Sequence, residues 1–119
     1  MTTQQKDTYT VTEIDKGGDH VSIVIIVGED GSLRILDHSY GRSADEMYGE
    51  GRDVEHWLDL CADSVQKLMT KLTGGATPDA ADDLAKLLVK KFESQNLALQ
   101  SIKELCAEKG ISYKEELWH

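Results

Sequence analysis

The chain has 119 residues, of which 39% are hydrophobic and 6% aromatic, and its formal net charge is −9 at pH 7. This length predicts a single domain, 1–119, with a mainly aliphatic core. The excess of acidic side chains disfavours direct binding to nucleic acid or to a membrane surface and favours a basic protein partner.

The first part of the chain, 8–38, predicts an antiparallel β-meander that follows a frayed N-terminus, 1–7. The central strand is expected at 20–28, because its β-branched run is apolar on both faces and therefore fits a central place in a sheet. Alternation of Tyr and Val with threonines predicts a strand at 8–14, and a second alternating run predicts one at 32–38.

Two glycine-containing segments come next in the chain. The segment from Gly28 to Gly31 includes an Asp-Gly dipeptide between two apolar runs, which predicts a tight hairpin turn. Residues 39–52 predict a flexible loop, because Gly49 and Gly51 limit the length of any helix there.

Residues 53–72 predict a long amphipathic helix. Apolar side chains recur there at steps of three and four residues, which places them on one stripe. The stripe consists of Val54, Trp57, Leu58, Cys61, Val65, Leu68 and Leu72.

Thr77 and Pro78 predict the start of a second helical region, 78–109, as N-cap and first helical residue. This region is either one bent helix or two helices separated by a break near Ser94, and we favour the break. Gly110 is a suitable C-cap, onto which Ile111 can pack back.

The whole pattern predicts an α+β fold, with a three-stranded antiparallel β-meander followed by two or three helices packed on one sheet face. The helical part is expected to span 53–118. Its last residues, from Tyr113, are expected to form a short tail whose Leu117 and Trp118 dock on the body.

No catalytic or metal-binding motif is present. The sequence Asp37-His38-Ser39 cannot form a triad, because triad residues converge from separate segments. Cys61 and Cys106 fall on apolar stripes, so we expect buried free thiols, no metal site and no cofactor. Two cysteines make no disulfide framework, and no segment resembles a signal peptide, so a cytoplasmic location is expected.

The distribution of charge is the strongest functional signal. The first 66 residues hold 14 acidic and 5 basic side chains, whereas residues 67–119 hold 8 of each. In the predicted helix, Glu55, Asp59 and Asp63 lie opposite the apolar stripe without basic partners at four-residue spacing. The partner-binding residues expected from this pattern and the adjoining loop are Tyr40, Asp45, Glu46, Met47, Tyr48, Glu50, Asp53, Glu55, Asp59 and Asp63.

These acids predict a non-enzymatic binding protein whose negative helix face docks on a basic protein surface, as a nucleic-acid mimic would. The target would be a nucleic-acid-binding or nuclease-type protein. In size and composition the chain is similar to small acidic inhibitors of bacteria and their phages, such as immunity proteins against nuclease toxins.

Three other interpretations remain open from the sequence. The acids could form a solvated face that serves solubility. The chain could instead be an assembly subunit or homodimer formed through the 78–109 helical region. A small enzyme or ligand binder would need a concave pocket with perturbed carboxylates.

Overall fold

The computed structural model describes residues 5–16, 18–41, 54–75, 79–95 and 97–118, which form an α+β arrangement. Its strands are β1 (Gln5–Lys16), β2 (Asp19–Gly28), β3 (Leu33–Gly41), β4 (Val54–Leu60) and β5 (Lys114–Trp118). Its helices, which lie between β4 and β5 in the sequence, are α1 (Ala62–Thr73), α2 (Ala80–Phe92) and α3 (Ala98–Lys109).

β2 lies in the interior of an antiparallel sheet with the strand order β1-β2-β3-β4-β5. Ile25 of β2 is paired with Tyr9 of β1 and with Ile35 of β3, so the predicted meander of three strands is confirmed and is extended by two more. At the predicted hairpin turn, the Gly31 N–H donates to the Gly28 carbonyl over 3.0 Å. Gly31 has a φ of 87°, which residues with a Cβ rarely adopt.

The helix predicted over 53–72 is wrong in its first half. Val54–Leu60 forms β4, paired with β3, and α1 begins only at Ala62. Leu58 and Leu60 are both buried, and two residues at this spacing share a face in a strand but not in a helix. The otherwise free edge of β3 supplies hydrogen-bond partners for this backbone, which favours the strand.

The predicted break in the second helical region is confirmed. α2 ends at Phe92 and α3 begins at Ala98, with Ser94 between them at a φ of 63°. The predicted C-cap is also confirmed, because Gly110 ends α3 in the left-handed conformation and Ile111 is buried behind it. The helix start expected at Thr77 and Pro78 lies outside the described residues.

The core lies between the sheet and the helices and is mainly aliphatic, as predicted. α2 packs on β1 and β2, α3 packs on β3, and α1 packs on β4. The sheet contributes side chains that are at most 1% exposed: Ile23, Ile25, Val27, Leu33, Ile35, Leu58 and Leu60. No helix in the described ranges is long and apolar enough to cross a membrane.

The helical part predicted over 53–118 therefore begins and ends with strands. The segment expected to be a docked tail forms β5, an edge strand paired with β4. Leu117 is 52% exposed and Trp118 is 62% exposed, so neither docks on the body as predicted. The backbone of this segment pairs with β4, and burial of its two large apolar side chains does not hold it in place.

Candidate functional site

The helices cover one face of the sheet and leave the other face open. Directly paired residues of an antiparallel sheet project from the same face, and successive residues alternate between faces. The strand residues that alternate with the buried core therefore project away from α1, α2 and α3. We call this surface the open face and define it by Ser22, Val24, Ile26, Arg34, Leu36, His38, Tyr40, Glu55, Trp57, Asp59, Lys114, Glu116 and Trp118.

The middle of the open face is apolar and half-buried. Val24, Leu36 and Trp57 lie side by side on β2, β3 and β4, and Glu116 of β5 completes this row. Thr10 of β1 is paired with Val24 on the other side. An apolar row across three strands, bounded by polar groups, resembles the centre and rim of a protein interface.

Arg34 connects this row to the neighbouring row, which consists of Arg34, Asp59 and Lys114. Its guanidinium makes two hydrogen bonds to Asp59, of 2.6 Å from Nε to Oδ1 and 3.1 Å from Nη2 to Oδ2. The guanidinium carbon also lies 4.6 Å from the centre of a Trp57 ring. The hydrogen bonds to Asp59 raise the pKa of Arg34. The arrangement fixes the orientation of Trp57 and offsets the charge of Asp59.

The next row carries acidic charge that no described basic side chain offsets. Glu55 lies between His38 and Trp118, and within the described residues it makes no ion pair. On the same side of β5, the Trp118 indole Nε1 donates to Glu116 Oε2 over 3.3 Å. Glu55 and Glu116 therefore place two carboxylates beside an exposed tryptophan.

Aromatic rings continue the open face toward the end of β3. Tyr40 is 45% exposed, and its ring stacks on His20 with 4.7 Å between centroids. His38 lies 5.8 Å from the same ring in a tilted arrangement. His20 Nε2 is 3.1 Å from Glu13 Oε1, so the stack also reaches β1. Tyr40 belongs to the predicted loop 39–52, and this prediction is wrong for residues 39–41, which form the end of β3. Residues 42–52 of the predicted loop lie outside the described residues.

The structure brings together three of the predicted site residues and separates a fourth. Glu55, Asp59 and Tyr40 are all on the open face. Asp63 is in the first turn of α1, where Lys67 pairs with it at 3.0 Å. The predicted negative helix face is therefore wrong, and so is the predicted absence of a basic partner four residues from Asp63. The other predicted site residues lie outside the described residues: Asp45, Glu46, Met47, Tyr48, Glu50 and Asp53.

Sequence reasoning missed Trp57, Trp118 and Glu116 as residues of the site. Trp57 was assigned to the core stripe of a helix, and Trp118 to a docked tail. The available signal was the spacing of Leu58 and Leu60, two residues apart, which is typical of the buried face of a strand. In a strand this spacing places Trp57 on the opposite face from both leucines.

A polar cluster lies on the covered face, beyond the aliphatic core. Lys103 of α3 donates to Glu115 Oε2 over 2.9 Å, and His56 Nε2 lies 2.6 Å from the same oxygen. Lys103, together with His56, holds the pKa of Glu115 below its ordinary value. Asp37 is paired with His56 across the strands, and burial raises its pKa although Ser39 donates a 3.0 Å hydrogen bond to it. Through Glu115, the cluster connects β5 to His56 of β4 and to Lys103 of α3.

A cleft of about 300 Å³ lies between the hairpin turn and the starts of α1 and α2. Its lysine, Lys6, pairs with Asp82 at 2.6 Å, and the Tyr9 hydroxyl donates to the same carboxylate over 2.9 Å. Lys6 holds the pKa of Asp82 below its ordinary value. The other charged side chains that line the cleft in the described residues are Glu29, Asp30 and Asp79. The Lys6–Asp82 pair thus links β1 to α2.

The two cysteines have different environments, although both were expected to be buried. Cys106 is buried in the core, where burial raises the pKa of its thiol to about 11. Cys61 is exposed at the start of α1, and Ser64 lowers the pKa of its thiol. Within the described ranges, no group of three or more His, Cys, Asp or Glu side chains could hold a metal ion.

The open face therefore combines exposed aromatic rings, a half-buried apolar row and carboxylates in excess over cations. Comparison with known proteins found no matching family model, no matching curated protein and no matching solved structure. This face provides contact area and negative charge on a hydrogen-bonded sheet.

Proposed function

We propose that this protein is a non-enzymatic binding protein that docks on a basic protein surface through the open face of its sheet. The observation that carries the proposal is the apolar row around Trp57, which the helices leave uncovered and which carboxylates flank. Exposed apolar patches with polar rims are typical of protein interaction sites.

The apolar row supplies the contact area that such a complex needs. Trp and Tyr are enriched among residues that dominate binding energy. Trp57 is held by Arg34, while Tyr40 and Trp118 are exposed on the side of the row that carries Glu55. Since these rings are carried by strands rather than by a loop, little order has to be gained on binding.

The carboxylates supply the preference for a basic partner. Glu55 and Glu116 add to the field of a chain whose net charge is −9. Such a field speeds encounter with a positive surface, and salt weakens the effect. A groove that binds phosphates presents the complementary charge, so we propose nucleic-acid-binding and nuclease-type proteins as the target class. Occupation of that groove would inhibit the target.

The alternative of a homodimer formed through the 78–109 helical region depends on exposed apolar side chains in that region. Leu84, Leu88 and Ile102 are fully buried in the protein's own core. Their side chains therefore offer no surface for a second chain, and we do not favour this alternative.

The test compares two double variants with the same change in net charge. E55K/E116K reverses two carboxylates of the open face, whereas E93K/E104K reverses two exposed carboxylates in the helical part. A partner is first captured from a cell lysate and identified by mass spectrometry. The purified partner is then used to measure the Kd of each variant at low and moderate salt. Circular dichroism verifies that both variants are folded.

We expect E55K/E116K to weaken the complex at least about tenfold, which is about 1.4 kcal/mol, and E93K/E104K to bind like the wild type. We also expect the wild-type Kd to rise with salt. Equal affinities for the two double variants would exclude the open face as the interface.

A further inference from the structure

The two edges of the sheet differ in how well they are protected from pairing with another strand. β1 has register shifts between Gln5 and Asp7 and between Thr10 and Thr12. The turn between α2 and α3 contacts β1, because the Ser94 N–H donates to the Val11 carbonyl over 2.9 Å. Bulges and covering loops are the usual means by which proteins block an edge strand.

β5 has none of these protections within the described part of the chain. It pairs with β4 residue for residue, and all five of its residues are exposed. No described strand lies on its other side. A regular edge strand presents a row of N–H and C=O groups that an extended peptide can satisfy.

We propose that β5 receives an extended basic segment of the partner as a sixth strand of the sheet. This inference rests on the proposed function and states how the open face engages its partner. Main-chain hydrogen bonds to β5 would position the segment, and alternate side chains would determine its sequence preference.

The side chains of β5 define the pattern that the segment should have. Lys114, Glu116 and Trp118 project onto the open face. A Lys or Arg opposite Glu116 would gain an ion pair, and one opposite Trp118 would gain a cation–π contact, whereas one opposite Lys114 would be repelled. Leu117 projects from the other face and is half-exposed, which suits an apolar neighbour. Glu115 on that face is already bound by Lys103 and His56. The expected segment therefore alternates basic and apolar residues.

The charge at the centre of β5 opposes pairing of this strand with a second copy of itself. In the antiparallel register that pairs all five residues, Glu116 would lie directly opposite Glu116. Like charges in that position destabilise a strand pair. A residue opposite Trp118 can be basic in either case, because Lys114 of a second copy would also lie there in this register. Only the position opposite Glu116 discriminates: a basic residue there turns the repulsion into attraction, and this charge favours a different chain over a second copy.

β5 is also held in place before the segment arrives. Glu115 connects it to α3 through Lys103 and to β4 through His56, so the strand is fixed from two sides. An edge that is already ordered loses little conformational entropy when another strand pairs with it.

The test uses a short peptide of alternating lysine and valine and two methylated forms of it. One form is N-methylated at every lysine and the other at every valine, so that each loses a different alternate set of amide hydrogens. An added strand directs only one of these sets toward β5. Affinities are measured by calorimetry, and hydrogen exchange is followed at the amides of Lys114–Trp118.

We expect the parent peptide to bind and to slow exchange of the β5 amides that point away from β4. One methylated form should bind at least about tenfold more weakly than the parent, while the other should bind with similar affinity. Equal affinity of both methylated forms, or no binding of the parent, would overturn strand addition. Protection of β5 that depends on protein concentration without peptide would also overturn it, in favour of self-pairing.

This result is separable from the test of the proposed function. If E55K/E116K abolishes binding of the captured partner while both methylated peptides bind alike, the open face is the interface and strand addition is wrong. If the two double variants bind the partner equally, the proposed function itself is wrong.

Discussion

The two faces of the sheet are built from alternate residues of the same strands, yet they have opposite properties. On the covered face, Ile25, Ile35 and Leu58 form a row whose side chains are fully buried. On the open face, the neighbouring row contains Leu36 and Trp57, which remain half-exposed. A sheet covered on one side only can thus assign one set of positions to stability and the other to recognition.

This difference predicts that adjacent residues of β2 have unequal effects on stability. Ile25→Ala should lower the free energy of unfolding by about 2–5 kcal/mol, because it leaves a cavity in a closed core. Ile26→Ala removes the same atoms from the open face, where no closed cavity is left, and should cost only about 1–2 kcal/mol. Urea denaturation of both variants measures the difference. Equal losses would show that the open face is packed against something in the free protein.

The covered side could be predicted from sequence wherever local signals determine it. The β-branched run of β2, the Asp-Gly turn and Gly110 each favour one local conformation, and each prediction was confirmed. β5 was missed because the conformation of its five residues depends on the free edge of β4, which is distant in sequence.

The open face was predicted only in part, for a geometric reason. Glu55 and Asp59 are four residues apart, and this spacing keeps two side chains on one side of a helix and also of a strand. Glu55 and Asp59 therefore share a face in β4, as they would in the predicted helix. Asp63 does not share it, because the chain leaves the sheet after Leu60. The partners of these acids across β3 and β5 depend on strand register, which sequence spacing does not reveal.

The polar cluster on the covered side should make stability depend on pH. Lys103 lowers the folded-state pKa of Glu115, so its contribution is present above the ordinary value of 4.5 and is lost as the pH falls through the folded-state pKa. Glu115→Gln should therefore cost about 1 kcal/mol or less at pH 7, since the pair is partly exposed, and nothing at low pH. The urea midpoint as a function of pH measures this. An unchanged pH profile in the variant would show that Glu115 does not contribute.

Asp37 on the same face should contribute to stability with the opposite pH dependence. Burial raises its folded-state pKa, so its favourable contribution is complete below the ordinary value of 3.8 and is lost as the pH rises through the folded-state pKa. Asp37→Asn should then stabilise the protein at pH 7 and have little effect at low pH.

Asp59→Asn is the matched control for Asp37→Asn on the open face. Asp59 is bonded to Arg34, so its loss should not stabilise the protein at any pH. Urea midpoints at neutral and low pH compare the two variants. Stabilisation by both changes would indicate relief of general negative charge and would argue against a burial effect specific to Asp37.

The two thiols, one inside the covered side and one where the chain leaves the sheet, should differ in reactivity. Cys106, whose pKa is about 11, should react with a thiol reagent at pH 7 at least ~100-fold more slowly than Cys61 in the folded protein. Cys61→Ser should abolish the fast phase, and Cys106→Ser should leave it intact. Two fast thiols in the wild type would mean that the helical layer opens on the timescale of labelling, because Cys106 can be reached only when α3 separates from the sheet.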